Sequence, residues 1–267
     1  MMEMLSFEFV RYSLICGILS GVITGILSTV VVLRKMEFIG NGVAHAAFGG
    51  LALGLLLNLN LNLMAMITAL AFALGVGYFS ERGKVTENTA IGLMMPFSMA
   101  LGVVFLSLIK GYTPDLMSYF FGNMLLVKKE DAILLSLMTL CVSIFFIVFN
   151  REILYYTFDE TMSKHYGVPV NFVKYSMLIL ISLVIVASVK IIGIILVTSM
   201  LVAPAAISRL FSRRFKTMVL NSILMNVLSV LIGITWAYYL NVPPGPAIVI
   251  TLFSMFVLIS MFKRIRA

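Results

Sequence analysis

Of 267 residues, 61% are hydrophobic and only 11% are charged, with a formal net charge of +8. Soluble domains average roughly 45–50% apolar and 25% charged, so this balance excludes an ordinary soluble enzyme, a disordered chain and a disulfide scaffold. What remains is a polytopic membrane protein. At about 20 apolar residues per span, the length allows up to about ten spans and leaves no room for a separate soluble domain, so 1–267 reads as a single transmembrane domain. A membrane β-barrel needs short segments of alternating polarity, whereas the apolar runs here are continuous. The predicted fold class is all-α, a polytopic membrane helical bundle.

Nine apolar runs follow one another: 11–33, 40–57, 63–80, 89–109, 130–150, 174–189, 191–207, 217–240 and 246–262. The second, sixth and seventh are short. A tenth piece, 113–127 (TPDLMSYFFGNMLLV), is too short and too punctuated to span and reads as a re-entrant or surface helix. Eight or nine transmembrane helices are therefore expected. Cys16 and Cys141 each sit inside an apolar run at no zinc or redox spacing, so both read as small buried hydrophobes. The opening MMEMLSFEFVR is acidic where a cleaved signal would be basic.

Lysine and arginine set the orientation of membrane helices. With the N-terminus outside and the C-terminus cytoplasmic, only Arg11, Lys110, Lys128, Lys129 and Lys190 of the 19 cations fall outside. The net charge is thus explained by topology, with no nucleic acid needed. The outer turns 58–62 (NLNLN) and 240–246 (LNVPPGP) are tight. The longest cytoplasmic loop, 151–173, has structure of its own: Asp159 can cap a short helix, and Gly167 followed by Pro169 can end it. Such a helix can be an ordinary capped loop or a docking element for a partner.

Small residues recur every four positions in the first two runs: Gly17, Gly21 and Gly25, then Gly42, Ala46, Gly50 and Gly54. Such stripes let helix backbones approach closely, within one subunit first and across a homodimer seam second. His45 is the one histidine inside a span, and Asn41 precedes it by one turn on the same face. An intramembrane ionisable group is a functional candidate by default, and imidazole and amide oxygen can both ligate a divalent metal. Hydrogen bonding of a neutral histidine to a neighbouring helix is the plainer reading. Gly49 and Ala52 would continue that face and leave space for an ion. No carboxylate falls mid-membrane, which weakens a proton-coupled carrier. There is no H-E-x-x-H, no G-x-S-x-G and no phosphate-binding G-x-x-x-x-G-K-[ST], so any ATP site must lie on another chain.

Five stretches in order resemble the permease subunits of bacterial and archaeal ABC importers for zinc, manganese and iron. They are FIGNGVAHAAFGGLALG (38–54), SYFFGNMLL (118–126), FDETMSKHYGVPV (158–170), VKIIGIILVTSMLVAPAAISRL (189–210) and NVPPGPAIVI (241–250). The resemblance implies a permease that homodimerises in the cell membrane and docks on a cytoplasmic ABC ATPase subunit. It also implies that an extracytoplasmic metal-binding protein supplies the ion. It assigns Asp159, Glu160, Met162, Lys164, Tyr166 and Gly167 to the element that couples to the ATPase. It puts His45, with Asn41, on the metal pathway, as a transient site with no permanently bound cofactor. The family usually has an aspartate at Asn41 and often at Asn241, so a negative charge is missing here. AHAAFGG, with Ala44 where manganese-type members tend to have serine, is closer to the zinc-type branch, and imidazole suits zinc. The alternative class is an ATP-independent metal carrier or channel.

Overall fold

Each of the nine apolar runs folds as a helix. The computed structural model describes residues 8–109 and 127–266. In chain order the helices are α1 (Glu8–Leu33), α2 (Ile39–Leu56), α3 (Leu61–Arg82), α4 (Glu87–Ser107), α5 (Lys129–Val148), α6 (Asn150–Phe158), α7 (Glu160–His165), α8 (Val170–Ile192), α9 (Ile194–Arg209), α10 (Phe215–Leu240) and α11 (Pro244–Arg266). No strand occurs among the described residues. Eight of these helices are long and apolar enough to cross a membrane, and α9, at 16 residues, is a shorter apolar ninth. The expected surface helix at 113–127, with Asp115 and all of SYFFGNMLL, lies outside the described residues except for Val127.

Local chemistry explains the helix ends. The Asn60 side chain caps α3 by accepting from the Leu63 amide at 3.2 Å, and the Thr86 hydroxyl caps α4 by accepting from Thr89 at 3.2 Å. Between α8 and α9 the chain reverses at Gly193, whose φ of 82° disfavours any residue with a Cβ. Helices α1, α2 and α8 are the most buried. α1 packs on α10, α9 and α5; α2 packs on α4 and α3; α8 lies against α3 and α2. Helices α4, α5 and α11 are outermost and expose apolar side chains such as Leu93, Phe97, Leu137, Ile147 and Phe253. Lipid tails are the natural solvent for such a surface.

Pro204 lies inside α9 and has no N–H to donate to the Met200 carbonyl four residues back. The Asn226 amide of α10 replaces that bond, donating to Met200 O at 3.1 Å. Its two N–H groups are shared with Gly21 O at 3.1 Å and Thr24 Oγ1 at 3.0 Å on α1. One fully buried amide thus ties three helices together at a backbone break. We predict that Asn226→Ala destabilises the protein by about 1–2 kcal/mol, from bonds averaging roughly 0.6 kcal/mol each in membrane helices plus an orphaned carbonyl. The loss should shrink in a Pro204→Ala background, which restores the N–H. A double-mutant cycle of unfolding in detergent reads both.

The glycines of α1 face α10. A Cβ on Gly25 would lie 2.8 Å from Ile223 Cα, and one on Gly21 would lie 3.5 Å from Asn226 Cβ. Gly17 is buried one turn earlier. In α2, a Cβ on Gly42 would meet Phe72 Cζ at 2.5 Å, one on Gly50 would meet Met64 O at 2.5 Å, and one on Gly54 would meet Leu61 at 3.2 Å. Ala46 is also buried.

Two expectations are corrected. Cys16 is buried, but Cys141 sits on the exposed side of α5. α8 is a full 23 residues long, because Lys174 does not end it. That lysine is buried in the second turn, where Nζ donates to Ser80 Oγ at 3.2 Å and faces Glu81 at 4.0 Å.

Candidate functional site

Helix α2 is enclosed by α3, α4, α8 and α9. Between Ile39 and Ala52 every residue is buried except Asn41 and His45, which are half-buried. They stand one turn apart on the same side, about 6 Å along the axis. Two polar side chains thus share a half-buried strip in the N-terminal half of this apolar helix. The open strip stops at His45. A Cβ on Gly49 would lie 3.0 Å from the Ser98 carbonyl of α4, and Ala52 is fully buried. The expected continuation is therefore closed, at Gly49 by α4 and at Ala52 by burial. Among the described residues, no three His, Cys, Asp or Glu side chains cluster closely enough to cage a metal ion. An imidazole and an amide can make a passing contact with a cation and cannot enclose it alone.

The 158–170 segment forms α7. The Asp159 carboxylate caps it, accepting from the Thr161 and Met162 amides at 2.9 Å each. Gly167, at φ 74°, turns the chain out of it toward Pro169. Met162 and Tyr166 are four apart and exposed, and Tyr166 stacks on Tyr155 with ring centroids 5.6 Å apart. Glu160 and Lys164 form a second side, 3.8 Å from each other.

Glu160 also reaches inward. Its Oε2 accepts from Arg34 Nη2 at 2.8 Å. The same nitrogen pairs with Glu87 Oε1 in the first turn of α4. Arg34 Nη1 donates to the Tyr156 carbonyl at 3.3 Å, and its guanidinium lies 4.3 Å from the Tyr156 ring centroid. Arg34 follows α1 directly, so one guanidinium joins α1, α4, α6 and α7. Burial alone would lower the Arg34 pKa. The Glu87 and Glu160 carboxylates outweigh it, and the net shift is upward, so the cation is permanent. Burial raises the Tyr156 phenol, which stays protonated.

In the sequence, Arg34 and Glu87 are simply charges at the edges of apolar runs. Nothing local marks them as partners of Glu160. The one available signal was that Arg34 follows an unbroken apolar run, which leaves an arginine at the edge of the protein interior. On the far side of the bundle, Lys190 at the end of α8 pairs with Asp131 of α5 at 3.5 Å.

Comparison with known proteins agrees with this architecture. The sequence pattern of the ABC 3 transport family matches residues 6–263. A "Probable metal transport system membrane protein" of Thermotoga maritima is 36% identical over 95% of this chain and 90% of its own length. The "Manganese transport system membrane protein MntC" of Halalkalibacterium halodurans is 32% identical over 98% of this chain and 89% of its own. The "High-affinity zinc uptake system membrane protein ZnuB" of Haemophilus influenzae is 31% identical over 97% of this chain and 99% of its own. Among solved structures, PsaBC from Streptococcus pneumoniae in complex with Fab is similar with a TM-score of 0.80 at 30% identity, covering 95% of this chain and 91% of the matched one. The chain therefore belongs to the ABC 3 transport family, as a membrane permease of the ABC metal transporters.

Proposed function

We propose that this permease carries a divalent transition metal, zinc in preference to manganese or iron, along a path lined by Asn41 and His45. The observation that carries the reading is the half-open Asn41–His45 strip on an otherwise buried α2. Two copies facing each other across that strip would double the donor set to two imidazoles and two amides. A dication is held poorly by one neutral pair and better by two. With no carboxylate in the set, the ion is held briefly and released readily.

The relatives are named for manganese and for zinc at nearly equal identity, so their names do not choose the ion. The donor chemistry supports zinc. Imidazole suits zinc, whereas manganese prefers carboxylate oxygen, and Asn41 offers none.

The energy comes from a cytoplasmic ABC ATPase docked on α7. Met162 and Tyr166 are the exposed apolar contacts, and Asp159, Glu160, Lys164 and Gly167 hold the helix in shape. An extracytoplasmic metal-binding protein delivers the ion at the opposite face, and the chain lies in the cell membrane with its C-terminus inside. Closure of the ATPases rocks the helices and exposes the path to each side in turn.

A competition assay tests the ion preference. In proteoliposomes containing the full importer, unlabelled zinc should suppress uptake of labelled manganese at lower concentration than manganese suppresses zinc. The reverse order would make this a manganese permease.

A further inference from the structure

We infer that Arg34 is a positioning residue, the joint through which α7 moves the helix that bears Asn41 and His45. This rests on the proposed docking of an ATPase on α7.

The geometry is continuous from one end to the other. Glu160, on α7, is held by Arg34. Arg34 also holds Glu87, the first residue of α4. α4 then runs along α2 and meets it on both sides of the two polar residues. Ile91 Cγ2 would lie 3.1 Å from a Cβ on Gly42, next to Asn41. A Cβ on Gly102 would lie 3.1 Å from Gly49 Cα, one turn beyond His45. Backbones this close cannot slide independently in a close-packed interior. A displacement of Glu87 therefore carries α2 with α4.

The joint has the properties of a moving part. Arg34 and Glu87 are mostly buried, with side-chain exposures of 12% and 9%, so water does not screen their attraction strongly. Glu160, at 26%, is the most accessible of the three. Beside Glu87 and Glu160 lies an open polar cavity of about 580 Å³, also lined by Ser80, Glu81, Lys84 and Lys174. It gives Glu160 room to swing. Arg34 Nε and the Tyr156 hydroxyl are buried, and neither has a partner in hydrogen-bonding geometry among the described residues. The cluster thus has spare donors for a second arrangement, as a two-position element requires. Lysine could not replace Arg34. A single ammonium cannot bridge two carboxylates, reach a carbonyl and lie over a ring in one fixed geometry.

The test is the number of metal ions moved per ATP hydrolysed, measured on the reconstituted importer with its cognate ATPase and binding protein. Glu160→Gln, Glu87→Gln and Arg34→Lys should retain the ATPase on purification and hydrolyse ATP, while ions per ATP fall about tenfold or more, the scale on which supporting residues act. A purely structural role would reduce the yield of assembled importer and leave ions per ATP unchanged in what assembles. That result overturns the joint. Should Arg34→Lys fail to assemble, Glu160→Gln carries the test, because its partly exposed carboxylate is neutralised without opening a cavity. Wild-type uptake that ignores ATP would remove the ATPase reading and the joint with it. ATP-driven wild-type uptake with an unchanged ratio in Glu160→Gln removes the joint alone.

Discussion

His45→Ala should abolish most metal uptake while the protein still inserts and assembles. The imidazole is half-buried on a helix whose other central residues, Asn41 apart, pack against neighbours. Its removal leaves a strip with only an amide donor. Altering residues that merely support a metal ligand costs about 10–100-fold, so deleting the proposed ligand should cost uptake at least roughly tenfold. Packing should suffer less than at a core position, because this side chain is only half-buried. Asn41→Asp is the complementary change. It returns a carboxylate to the path, so the metal concentration for half-maximal uptake should drop and manganese should compete better. Uptake kinetics for both variants, beside gel filtration of the purified protein, separate a lost path from a lost fold. Normal uptake by His45→Ala would remove this residue from the path.

The largest effect on stability is expected at Gly50. A Cβ there would sit 2.1 Å from Thr68 Oγ1, 2.5 Å from the Met64 carbonyl oxygen and 2.9 Å from the Met64 carbonyl carbon. The hydroxyl could rotate away. The backbone carbonyl cannot, so α2 and α3 must separate. Forcing one extra carbon into a packed contact costs about 1–3 kcal/mol, and Gly50→Ala should lie at or above the top of that range. Gly92→Ala is the matched control, because a Cβ at Gly92 meets nothing within 4 Å. Thermal unfolding in detergent should show a clear drop for Gly50→Ala and none for Gly92→Ala. Equal midpoints would mean that α2 and α3 are less tightly packed than described.

Much of this fold was legible because membranes demand so much of a sequence. A span must be long, apolar and internally hydrogen-bonded, so nine runs gave nine helices. Lys174 was misleading because a charge normally marks a span end. Here Ser80 and Glu81 solvate it in the second turn of α8. Helix α6 was not foreseen, since NREILYYTF is short and mixes charge with aromatics; only packing shows that Ile153 and Tyr156 are its buried side.

The candidate site was legible in part. His45 stands out in any reading, because ionisable residues inside spans are rare. The filling of the Gly49 side by α4 was not, since it depends on a carbonyl from a residue 49 positions later. The Arg34 cluster was hidden for the same reason. Its members are separated by 53 and 126 positions, and no periodicity links them. Pro204 and Asn226 are a third case. The proline signals a missing donor, but only the fold says which helix supplies it.

The most direct measurement is metal uptake into proteoliposomes containing this permease and its cognate ATPase and binding protein, with and without internal ATP, where the ATPase domains face. Uptake that requires ATP, stops without the ATPase and fails in His45→Ala is the predicted result. Uptake that proceeds equally without ATP or without the ATPase would contradict the account and make the chain an ATP-independent carrier or channel.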